Sequence, residues 1–355
     1  MNTATVDPIL VQATRGGIVE SFHRGALAVV DADGALVLSM GDIERPIFPR
    51  SAIKLLQALP PVASGAADAL ALTDEELALA CASHSGEEAH ARTAAGMLAK
   101  AGVDVSVLEC GTHWPYNEEA QRELARRGEA PSALHNNCSG KHSGFVCLAC
   151  RMHGAGKGAE GGAASLRGFL SGYVRPEHPV MREVSAALQA ATGWDLTKSA
   201  RGIDGCSIPT HAVPLKNLAL AFARVATGQG LSPEHARAAT RLRRATARAP
   251  FFTSGSGKFD ARVLAHFGER VYCKVGAEGV HCAAVPELGL GIAIKMDDGN
   301  NSRACEVVLA ALLQRLLPAS DADTGFLAGL SDQPLRNRKD IEVGRLQAAA
   351  ALRTA

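Results

Sequence analysis

Two apolar, β-rich runs, ALAVV at 26–30 and ALVLSM at 35–40, flank Asp31-Ala32-Asp33-Gly34. Asp and Gly between such runs signal a hairpin. The pattern returns at 268–297, where RVYCKVG, VHCAAV and GLGIAIKM are set apart by the turn formers AEG and PELG. It predicts three more antiparallel strands. Between the two blocks the period changes from two to that of a helix. Thr73-Asp74-Glu75-Glu76 is a capping box that opens a helix running through LALACAS, and 87–100 continues with apolar residues at helical spacing. Further helices are expected near 118–127, 141–152, 179–192, 215–227 and 232–248, and a long one over 300–317. The tail beyond Pro318 is expected to add a short edge strand from the end of DQPLRNRKDIEVGRL, and AAAALRTA to fray. These elements predict one α/β (α+β) domain over 1–355, with an antiparallel sheet built from both chain ends (about 1–50 and 268–318 plus the tail) and a helical lobe (about 60–250) inserted between them.

Composition narrows the function classes. The 355 residues are 47% hydrophobic, enough for a sizeable core, and 37 Lys plus Arg nearly balance 36 Asp plus Glu. That balance favours neither nucleic acid nor an anionic membrane as partner and suits a small neutral or zwitterionic ligand. No apolar run reaches membrane-spanning length and the first residues lack a signal-peptide pattern, so a cytoplasmic protein is expected. Nine scattered cysteines do not form a secreted disulfide framework. Cys147 and Cys150, a C-x-x-C inside an apolar helical stretch, read as core residues. The Gly-rich stretch 154–165 reads as a flexible surface loop, because no strand leads into it and it lacks a GK[ST] ending.

Ser51 and Lys54 stand three residues apart at a helix start, on one face, where a neutral amine can take a proton from the hydroxyl. Neutrality at pH 7 requires burial or a nearby cation, for which Arg50 is the candidate. Ser83 lies at a helix-to-helix junction in CASHSGE, and Lys274 precedes Gly276 on a strand. Together these match the S-x-x-K and K-x-G logic of penicillin-recognising enzymes. Cys138, in NNCSGKHSG, and Cys206, in DGCSIP, could join Asp204 and a histidine or lysine around zinc, although by themselves they read more simply as loop cysteines packed against each other's turns.

The stretches PRSAIK, CASHSGE, NNCSGKHSG, DGCSIPTHAVPL, KVGAEGVHCAAVPELGLGIAIKMDDGNNSRA and NRKDIEVG, in this order, resemble the class 3 (rhizobial-type) asparaginases, the asparaginase II family. The resemblance implies a fold similar to serine β-lactamases and glutaminases, and hydrolysis of L-asparagine to L-aspartate and ammonia. It implies two Ser/Lys tandems, Ser51 with Lys54 and Ser83 with Lys274, and substrate contacts from Arg50, His142, Gly276 and Glu278. It also implies one Zn²⁺ near Cys138, Lys141, Cys206 and Asp204, with Lys141 as a neutral amine of depressed pKa, and a homodimer. Two stretches depart from the family: 154–165 looks like an insertion, and PFFTSGSGKFD at 250–260 differs where the family places another polar or cysteine residue. A glutaminase or β-lactam hydrolase would use the same elements, and a non-catalytic metal or amino-acid binding protein would use the Cys138 and Cys206 region alone.

Overall fold

The computed structural model describes residues 6–156, 163–318 and 320–353. Its main sheet runs, from one edge, Asp332–Arg336, Glu342–Ala348, Ile9–Arg15, Ile18–Asp31, Leu290–Met296, Val280–Val285 and Tyr272–Gly276. Leu36–Met40 adds to Ile18–Asp31. All pairings are antiparallel, with Ala28 opposite Ala293 and Ala293 opposite Cys282. The expected hairpin is present, with Leu27 opposite Met40 and the Asp31 carboxylate accepting from the Asp33 and Ala35 amides.

The sheet begins earlier than its apolar runs suggest. Ile9–Arg15 and the first half of Ile18–Asp31 form a hairpin closed at Gly16-Gly17, both at positive φ. That glycine pair is itself a two-residue hairpin signal. Exposed Ile18, Val19 and Phe22 blur the alternation there. In the tail, Glu342–Ala348 is an inner strand; the edge is Asp332–Arg336, preceded by the unforeseen helix Asp321–Ser331. The last residues do not fray up to Leu352: the Ala349 amide donates to the Leu10 carbonyl, and Leu352 is fully buried.

Strand alternation divides the core into two layers. Ala26, Ala28 and Val30 face the helical lobe, while Leu27 and Val29 face the helix Glu306–Leu316 and its neighbours. The sheet centre is therefore covered on both sides. A third cluster lies within the lobe around Phe145 and Tyr173, and Cys147 is buried as core. The lobe helices fall where periodicity places them, including Pro179–Thr192 and Leu215–Thr227. Asp74–Ala80 opens on the Thr73/Glu76 capping box but stops before Ser83, which leaves residues 82–86 outside any helix or strand. Lys54–Ala63 continues through Pro60 and Pro61, and its buried Leu55, Leu56 and Leu59 each contribute about 1.5–3 kcal/mol by leaving water. In the Gly-rich stretch, 154–156 and 163–165 are helical, and 157–162 lie outside the described residues. No helix among the described residues is long and apolar enough to cross a membrane.

Candidate active site

Ser51 is delivered by a tight turn. The chain leaves strand Pro46–Ile47, passes Pro49, and enters the 3-10 turn Arg50–Ile53 with Arg50 at φ 52°. A left-handed non-glycine residue stores on the order of 1–3 kcal/mol, and here the Arg50 Nε to Asp204 Oδ1 ion pair at 2.6 Å holds it. The edge strand of the sheet passes close beside this turn. A Cβ on Gly276 would stand 2.5 Å from the Pro49 carbonyl oxygen and 3.0 Å from the Ala52 nitrogen, so only glycine permits that approach.

Ser51, Ser83, Asn137, Ser254, Asp260 and Gly276 line one cavity of about 390 Å³, and Ser85, Tyr116, Lys258 and Glu306 also contribute to its wall. The irregular segment carrying Ser83 is pinned on both sides: the Ser83 amide donates to the Thr253 carbonyl and the His84 amide to the Asn137 carbonyl. Glu87 ties it to the opposite loop by accepting from Ser85 Oγ at 2.7 Å, the Ser256 amide at 2.9 Å and Ser256 Oγ at 2.7 Å. Gly255, at φ 111°, is needed there, because a Cβ would collide with Ser85 Oγ. Ser83 Oγ is buried and has no hydrogen-bond partner among the described residues.

Lys54 is fully buried; its Nζ donates to the Ala82 carbonyl at 2.5 Å and to Cys138 Sγ at 3.1 Å. Burial lowers its pKa from the usual lysine value, helped by the charges of Lys141 and Lys274 and opposed by Cys138. The helper cations are thus Lys141 and Lys274, since Arg50 turns away to Asp204. No hydrogen bond joins Ser51 to Lys54 among the described residues.

Behind Lys54 the second polar cluster converges. The hydrogen bond from the Cys206 thiol holds Cys138 well below the ordinary thiol range against the opposing effect of burial, and Lys54 and Lys141 reinforce it. Lys141 Nζ lies 3.0 Å from Cys206 Sγ. The depressed pKa expected for Lys141 belongs to the zinc-bound amine; without the metal its neighbours act the other way. Burial favours its neutral form, but Cys206, Cys138 and Asp204 outweigh that and raise it. Two sulfurs joined by a hydrogen bond, with the Lys141 amine against Cys206 Sγ, are a donor set that suits Zn²⁺, which must then displace the lysine proton. One oxygen of Asp204 is already committed to Arg50 and the Gly205 amide.

Three of the expected substrate contacts lie outside the cavity. His142 is buried against Tyr173 Oη at 2.7 Å. Arg50 and Glu278 line a separate hollow with Phe48, Ile203 and Lys295. His142 is held by its helix packing against Tyr173, Arg50 by its ion pair with Asp204, and Glu278 by its place in the turn between Tyr272–Gly276 and Val280–Val285, at φ 61°. Conversely, Asp260 was missed. It opens the helix Phe259–Phe267 and is almost fully buried. Its carboxylate lies 3.5 Å from Lys274 Nζ and 2.9 Å from His281 Nε2, and it accepts from the Val275 amide at 3.0 Å. Although burial alone would raise its pKa, Lys274 and His281 hold it far below the usual carboxylate value. The available signal was an acid closing the polar, Gly-rich run SGSGKFD.

Residues 11–348 match a family model described as L-asparaginase II. That span takes in the inner strands of the sheet, the whole lobe and every side chain around the cavity, and the chain belongs to the L-asparaginase II family. A search of curated proteins finds no match. Among solved structures, native Mglu in 4.3 M NaCl aligns at 17% identity over 89% of this chain and 66% of that one, with a TM-score of 0.36. A second Mglu structure aligns at 16% identity over 79% of this chain and 64% of that one, with a TM-score of 0.33. The chain therefore spans just under two thirds of the length of the Mglu chains it matches.

Proposed function

We propose that the protein hydrolyses the side-chain amide of L-asparagine to L-aspartate and ammonia through an ester on Ser51. The observation that supports this most is the meeting of Ser51 and Ser83, from separate segments, in one cavity walled by Gly276 and Asp260. Ser51 Oγ attacks the amide carbon and its proton passes to Lys54, whose burial favours the free amine. The amine must first leave the Ala82 carbonyl, and catalytic hydrogen bonds commonly tighten only with substrate in place. The Ser51 backbone N–H is the oxyanion donor this geometry favours, since it lies at the start of a helical turn whose next amide, Ala52, is already bonded to the Pro49 carbonyl. Lys274, with Asp260 as counter-ion, passes a proton through Ser83 to the leaving nitrogen, and ammonia departs. Water then attacks the ester carbonyl, giving one proton to Lys274 while Lys54 returns its proton to Ser51 Oγ, so that aspartate is released and both lysines regain their starting states.

Cys138, Cys206 and Lys141 would hold Zn²⁺, which when bound supplies a Lewis acid that fixes polar groups nearby. Lys54 links this cluster to the cavity through its contact with Cys138. The test is ammonia release from L-asparagine, and separately L-glutamine, by the protein and its Ser51→Ala variant, each with and without Zn²⁺. Release from L-asparagine that vanishes in the variant is the expected result. Unchanged release from the variant would refute the assignment of Ser51.

A further inference from the structure

Two charged side chains on the cavity wall, Lys258 and Glu306, have neither an ion pair nor a side-chain hydrogen bond among the described residues. Most other acids of this fold are committed: Asp260 to Lys274 and His281, Glu87 to Ser85 and Ser256. Lys258 caps the helix Phe259–Phe267 at the exposed mouth. Glu306 is half-buried at the start of Glu306–Leu316, just after the wide turn Asn301–Cys305. Burial pushes its carboxyl up and the charge of Asp260 adds to this, while His281, Lys258 and Arg262 act in the opposite sense without touching it. A carboxylate drawn from water without a partner is unfavourable, and a ligand ammonium would relieve it.

We infer that Glu306 receives the α-ammonium, and Lys258 the α-carboxylate, of an amino-acid amide, so that this pair selects a zwitterion with its amide arm turned to Ser51. The inference rests on the amide-hydrolysing reading of the cavity given above. Two truncated amides separate its halves: succinamic acid lacks the ammonium of L-asparagine, and 3-aminopropanamide lacks the carboxylate.

The experiment measures kcat/KM for all three amides with the wild type, Glu306→Gln and Lys258→Met; an amide that turns over too slowly is ranked by its inhibition constant against L-asparagine. The wild type should prefer L-asparagine over each truncated amide by about tenfold or more, the scale of one charge-assisted hydrogen bond. Glu306→Gln should collapse the preference over succinamic acid and keep that over 3-aminopropanamide. Lys258→Met should do the reverse. Glu306→Asp, which retains the charge, should recover part of the lost preference, separating charge recognition from damage to the helix start. Preferences equal to wild type in both variants overturn the pairing and leave the hydrolase reading intact. Failure of the wild type to release ammonia from any of the three overturns that reading, and the pairing with it.

Discussion

Replacing Asp260 with asparagine tests the electrostatics of the site most directly, because shape is kept and one charge is lost. Asp260 and Lys274 are each about 1% exposed and lie 3.5 Å apart. At an effective dielectric constant of about 20 the attraction across that distance is about 5 kcal/mol. Removing one partner leaves Lys274 buried without a counter-ion, a change that costs about 3–5 kcal/mol. Asparagine can still accept from the Val275 amide, which limits the damage to the ion pair and the His281 contact. Denaturant unfolding of Asp260→Asn, Lys274→Met and the double variant forms a cycle whose coupling term isolates the pair. The sign with pH is fixed. The folded pKa of Asp260 is depressed, so its stabilisation is complete above the unfolded carboxylate value of about 3.9 and is lost as pH falls towards the folded value. Wild type and Asp260→Asn should therefore differ most near neutrality and converge in acid. A coupling term below about 1 kcal/mol, or a stability difference that does not shrink in acid, would refute the buried ion pair.

Gly276→Ala should lower kcat/KM by about a hundredfold or more, because the strand must retreat from the Pro49 carbonyl and carry the cavity wall away from Ser51; steady-state kinetics on a variant with native circular dichroism checks this. Ser83→Ala removes a buried hydroxyl that has no partner among the described residues, so stability in urea should be unchanged or slightly higher while ammonia release falls by at least tenfold. His84 and His90, both fully buried and stacked at 4.9 Å, have pKa values pushed down chiefly by burial. The unfolded chain then binds more protons below about pH 6.5, so unfolding free energy should decline as pH drops from 7 to 5, and less steeply in His84→Gln. A flat profile would contradict buried neutral rings.

Local sequence determined the elements wherever one period dominated. The hairpin at 26–40, the strands from Tyr272 to Met296 and the helix Pro179–Thr192 follow from alternation, turn chemistry and capping, all of which act within a few residues. Ser51, Ser83 and Gly276 were legible from the family's motifs and do meet at the cavity. Where signals conflicted, reading failed. Exposed apolar residues hid the start of Ile18–Asp31, and polar composition hid the inner position of Glu342–Ala348, whose place depends on pairing with Ile9–Arg15 across the whole chain.

Tertiary structure alone decided which way the charged side chains of the site point and with whom they pair. Arg50 belongs to Asp204, Asp260 to Lys274, and Lys141 to a pair of sulfurs that raise its pKa instead of lowering it. The physical reason is range. Helix and strand formation follows neighbours along the chain, whereas the state of a buried charge is set by groups on other elements, 65 residues away for Lys141 and Cys206 and 154 for Arg50 and Asp204, brought within a few ångströms only when the lobe packs against the sheet.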